Sequence, residues 1–197
     1  MGDSLLLTAA RGPADPPLRL LPGRVLELLQ RLECPPRLAA HLRAVHDVAC
    51  QLVEWAEQRS PVLAFDRDAV MFGAATHDVG KIIHVAELSG PGSAHEEAGQ
   101  RLLVAQGVSA ELARFAATHA SWTRPEAGLE DLMVSVADKI WKNKRVPELE
   151  DLFIARLAAS SGRAHWEEFI AVDELLERIG DGAVQRLAFQ ASFPVHG

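Results

Sequence analysis

Cysteine is nearly missing from this chain, long hydrophobic runs are missing altogether, and so is any excess of positive charge. Cys34 and Cys50 are the only cysteines and lack CxxC or CxxH spacing. That excludes a cysteine-built zinc site and suits a reducing compartment. No apolar stretch is long enough to span a bilayer. The short run Leu5 to Leu7 is preceded by Asp3 and followed by Arg11, so it does not read as a signal peptide. Gly2 invites myristoylation, but Leu6 stands where that motif needs Ser or Thr. A net charge of −7 argues against general nucleic-acid or anionic-membrane binding. Strand-like alternation, internal repeats and low-complexity segments are also lacking. The expectation is a cytoplasmic, all-α protein with no membrane or nucleic-acid partner.

What is present is helical periodicity. With 197 residues, 48% of them hydrophobic, the chain can bury one good core. Residues 1–21, with Gly12, Pro13, Pro16 and Pro17, read as a loosely ordered leader, and residues 22–197 as a single helical domain. Its core spans about residues 38–145, with C-terminal helices over 147–193, the first opened by Pro147 and ended by Gly162. Pro22 opens a first helix and Cys34-Pro35-Pro36 closes it. The second helix runs from about Arg37 to Gln58, with His46 on a stripe shared with Ala49, Cys50 and Val53. Asp66 caps the helix that leads to Thr76-His77-Asp78-Val79-Gly80-Lys81, and Gly80 ends it. Ser93 and Glu96 match a capping box, placing His95 in the first turn of its helix. Ser109 caps the next helix, in which Leu112, Phe115, Ala116 and His119 share one face. Asp138 lies on an inward stripe of the helix over 129–144, with Val134 and Trp141.

Six polar residues therefore face the core: His46, His77, Asp78, His95, His119 and Asp138. Buried without partners, they would cost a small protein several kcal/mol. Imidazole and carboxylate without thiolate suits Fe, Mn, Co, Ni or Zn, and six ligands suit two divalent ions sharing one carboxylate. In order and helical placement, the set His…His-Asp…His…His…Asp resembles the HD superfamily of metal-dependent phosphohydrolases. Thr76-His77-Asp78-Val79-Gly80-Lys81 is similar to that family's central signature. The resemblance covers roughly His46 to Arg145. It implies that His46, His77, Asp78 and Asp138 hold one metal, and that Asp78 bridges to a second held by His95 and His119. The chain lacks the adjacent His-His pair and the Gly-Tyr-Pro signature of the superfamily's cyclic-dinucleotide phosphodiesterases.

On this reading the protein hydrolyses a small phosphate ester or nucleotide through a metal-activated water, with Asp78 and Lys81 as catalytic residues. Lys81, His84 and Lys142 are the expected substrate-binding residues. Lys142 comes from the run Lys139, Lys142, Lys144, Arg145, which otherwise reads as the solvated end of a helix. His41, His165 and His196 have blander readings, and replacing His41 or His165 by alanine is expected to be silent. Trp122 and Trp141 read as core packing. Two alternatives remain: a mixed-valent di-iron oxygenase of the same superfamily that cleaves a C–P or C–C bond, and a non-catalytic nucleotide-sensing helical module.

Overall fold

In the computed structural model, which describes residues 2–195, ten α-helices and two short 3-10 turns follow one another without a strand among the described residues. The helices are α1 (Gly2–Arg11), α2 (Gly23–Arg31), α3 (Pro36–Arg59), α4 (Arg67–Thr76), α5 (Ala94–Ala105), α6 (Ala110–Thr118), α7 (Leu129–Ile140), α8 (Pro147–Ser161), α9 (His165–Asp181) and α10 (Ala183–Ala191). The 3-10 turns, Val79–Ile82 and Val85–Leu88, bridge α4 and α5. None of the helices is long and apolar enough to cross a membrane. His196 lies outside the described residues.

α3 is the axis. Its residues from Leu38 to Val53 are buried on nearly every side, except Gln51. A helix enclosed all round has neighbours on every face. Here α1, α4, α7 and α10 pack against it. One apolar cluster joins α3 to α4, α7, α8 and α9, and a second joins it to α1, α2, α4 and α6. The two meet along α3 and α4, where the polar residues described below are enclosed.

Residues 2–11 form a helix where the sequence reading has a loose leader. Leu6, Ala9 and Ala10 are buried against the rest of the chain. Arg43 of α3, only 1% exposed, donates to the carbonyls of Ala9, Gly12, Leu18 and Arg19. The glycine and prolines after position 11 end α1 without freeing the segment, because this buried guanidinium fixes the carbonyls that follow.

Several helix ends match their sequence signals. The Asp66 carboxylate accepts from the Ala69 amide at 2.9 Å, Ser109 Oγ accepts from the Leu112 amide, and Gly162 takes the left-handed conformation (φ 72°) that closes α8. Two signals led elsewhere. Ser93 makes no side-chain cap; the Glu87 carboxylate, from the second 3-10 turn, accepts from the Ala94 and His95 amides instead. Gly80 does not end α4, which stops at Thr76. Its lack of a side chain serves contact: a methyl there would overlap the His95 carbonyl oxygen and come within 2.6 Å of the Gly99 amide nitrogen. Gly80→Ala is expected to push α5, and His95 with it, away from Asp78. Backbone overlap of this kind costs about 1–3 kcal/mol, which a thermal melt reads directly. An unchanged melting temperature would mean that α5 does not depend on this approach.

Candidate metal centre

Asp78 lies at the middle of the polar cluster, 2% exposed, just past the end of α4. One of its oxygens, Oδ2, is 3.0 Å from His41 Nε2 and 3.6 Å from His77 Nε2. The other, Oδ1, is 3.0 Å from His95 Nε2 and 3.6 Å from His119 Nε2. Asp138 Oδ1 completes the first side at 3.3 Å from His77 Nε2. Two groups result, His41–His77–Asp78–Asp138 and Asp78–His95–His119, with ligand atoms in each within 4.8 Å of one another and every residue buried.

The ring orientations follow from backbone chemistry. His77 and His119 sit at the C-terminal ends of α4 and α6, where helix carbonyls lack intrahelical partners. His77 Nδ1 is 2.9 Å from the Ala74 carbonyl and His119 Nδ1 is 3.1 Å from that of Ala116. Donation from Nδ1 leaves Nε2 with a lone pair aimed at the cluster, the tautomer a metal requires. His95 reaches the same state through Glu87, whose Oε2 is 2.5 Å from His95 Nδ1. Its Nε2, although close to Asp78, is buried without a hydrogen-bond partner. An orphaned buried nitrogen facing a carboxylate and a second imidazole fits the role of a cation ligand.

The electrostatics agree. Burial holds the His41 imidazole below its ordinary pKa and lowers that of His119 to about 4, so both are neutral ligands near pH 7. Burial disfavours the His95 imidazolium too, but Asp78 and Glu87 outweigh it and raise the pKa. Burial would also raise Asp78 and Asp138, yet the surrounding imidazoles keep both carboxyls well below their usual range; Lys139 adds to this at Asp138. Four imidazoles and two carboxylates in this arrangement form two groups that could hold metal ions.

The structure brings His77, Asp78, His95, His119 and Asp138 together, but His46 is not among them. Its place is taken by His41, read from sequence as an unremarkable histidine. Five residues on a helix are about 140° of rotation, so the two rings point to different sides of α3. His46 is buried with its Nε2 3.7 Å from Cys50 Sγ, at a pKa lowered to about 4 by burial. Because α3 is buried on both sides, facing inward does not say which interior a residue faces. His41 stands edge-on to Trp141, with ring centroids 4.8 Å apart, and its Nδ1 is buried without a partner.

Lys81, expected near the substrate, lies with Nζ 2.5 Å from Asp78 Oδ2. His84 is half-buried, takes part in hydrogen bonds only through its backbone, and belongs to neither group. Lys142 is exposed with Nζ 5.8 Å from the Trp141 ring centroid, and ion-pairs with no described residue. Its neighbour Lys139 is the lysine of that run turned to the site, 2.5 Å from Asp138 Oδ2. Glu87 was also missed; a glutamate eight residues before His95 carries no motif that would mark it.

Glu87→Gln keeps the shape but weakens the acceptor on His95 Nδ1. Loss of such a supporting carboxylate typically lowers metal affinity about 10- to 100-fold. The expected result is that loss for one ion and near-parent affinity for the other, measured by titration with a competing chelator. Equal weakening of both would place Glu87 outside this role.

No protein-family model, curated protein or solved structure matches this chain.

Proposed function

We propose that this protein is a two-metal phosphohydrolase of the HD type that acts on a small phosphate ester, with nucleotides as the leading substrate class. The observation that carries the reading is the division of Asp78, with one carboxylate oxygen facing each ligand group. His41, His77 and Asp138 would hold one ion with Asp78, and His95 and His119 the other. Divalent ions held there would supply Lewis acidity to phosphoryl oxygens and acidify water to serve as the nucleophile.

The chain's own residues do the rest. Neutral His41 and His119 offer lone pairs without a competing proton. The Ala74 and Ala116 carbonyls fix the rings of His77 and His119, so the centre needs little rearrangement when loaded. Lys81, with 19% of its side chain exposed against 3% for Asp78, sets a positive charge on the solvent side of the shared carboxylate. That charge favours an anionic substrate and the charge that develops on phosphoryl oxygens. The preference for hydrolysis over O₂ chemistry rests on this lysine together with the resemblance of its motif.

The test joins metal analysis to a phosphate-release screen over nucleotides, sugar phosphates and dinucleoside polyphosphates. Phosphate release that rises with metal occupancy supports the proposal. Fully loaded protein that releases no phosphate, and instead takes up O₂ with iron bound, would transfer the site to the oxygenase reading. Loaded protein inert in both assays would make it a binding module.

A further inference from the structure

The run of lysines after Asp138 contains one member that is largely shielded from solvent. Neighbouring residues on a helix diverge by about 100°, so the side chain of Lys139 would by default leave the direction of Asp138. Instead its stem curls back to place Nζ 2.5 Å from Asp138 Oδ2. Trp122, on the connection between α6 and α7, closes over the ammonium with its ring centroid 5.6 Å away. The Lys139 side chain is 15% exposed. Lys81 makes the same contact on the other carboxylate, Asp78, and is 19% exposed. The histidines of both groups and Asp78 are all less exposed than either lysine. Two ammonium groups thus flank the cluster, one against each first-group carboxylate, on its solvent side. Lys144 is exposed, and Arg145 of the same run is tied to Glu150 and Asp173.

Were Asp138 to hold an ion, its carboxylate charge would no longer be free to neutralise Lys139. The ammonium, confined under Trp122 and largely shielded from water, would then need another anion. We propose that Lys139 is a substrate-binding residue: with Lys81 it forms a two-point clamp for the phosphoryl group, and Trp122 holds its ammonium in place. This rests on the phosphohydrolase reading and adds a residue that the motif does not contain. A tetrahedral phosphate has enough terminal oxygens to meet a cation on either side and still face the centre between them. Charge-assisted contacts of this kind are the strong ones.

The experiment is calorimetric titration of metal-loaded protein with inorganic phosphate, the product of the proposed reaction, with metal content measured on each sample. Lys139→Gln is expected to weaken phosphate binding by about tenfold or more with metal content unchanged. Trp122→Leu, which leaves the charge in place, should weaken it a few-fold, and Lys144→Ala should match the parent. Unchanged phosphate affinity in Lys139→Gln overturns the inference while leaving the phosphohydrolase reading intact. Should Lys139→Gln lose metal, Trp122→Leu decides, and parent-like phosphate binding there would reduce Lys139 to a counter-charge for Asp138. A loaded parent protein that binds no phosphate would overturn the clamp and the phosphohydrolase reading together.

Discussion

Asp78→Ala is expected to empty both halves of the centre at once. Each carboxylate oxygen serves a different ligand group, so one substitution leaves the first group without its shared oxygen and reduces the second to His95 and His119. Metal content should fall from about two ions per chain to near zero, since two-metal sites depend on their bridging ligand. Catalytic loss should be on the order of a thousandfold or more, or about 4 kcal/mol of transition-state stabilisation. His119→Ala offers the contrast: it removes one donor from the second group only and should leave one ion bound. Loss of a single ion in Asp78→Ala would mean that the carboxylate does not bridge. Because Asp78 also meets Lys81 and four imidazoles, helicity and melting temperature must accompany the metal analysis, so that unfolding is not mistaken for lost ligation.

The second large effect separates two histidines on one helix. His41→Ala should weaken the first-group ion by on the order of a hundredfold or more, beyond what loss of a supporting residue costs, and activity should fall with it. It also removes a buried ring packed against Trp141, so some stability goes with it and the melting temperature must be followed alongside. His46→Ala should act on stability alone. It opens a cavity beside Cys50 on another side of α3 and should cost about 1–3 kcal/mol of stability, with metal content and activity preserved. Metal loss in His46→Ala with none in His41→Ala would restore the assignment read from the sequence and refute the geometry.

That exchange marks where sequence reasoning reached its limit. Asp66, Ser109 and Gly162 announced their helix ends because capping is local chemistry, settled within four residues. His77 and His119 were legible as well, because each stands at the end of its helix in line with that helix's apolar stripe. α3 is enclosed on both sides, so its hydrophobic period is almost uniform and cannot rank His41 above His46. Glu87 and Lys139 act through contacts set by tertiary packing and by a flexible stem, for which no spacing rule exists. The same holds for α1. Prolines and a glycine after position 11 suggest an unanchored segment, yet Arg43, more than twenty residues downstream, binds its carbonyls.

The most direct test of the account is a crystal structure of the metal-reconstituted protein, with the ions located by their anomalous scattering. It should show two peaks per chain, each about 2.0–2.2 Å from its nitrogen and oxygen ligands. One should lie among His41, His77 and Asp138, the other between His95 and His119, with Asp78 giving one oxygen to each. A single peak, two peaks that do not share Asp78, or a peak ligated by His46 would contradict it.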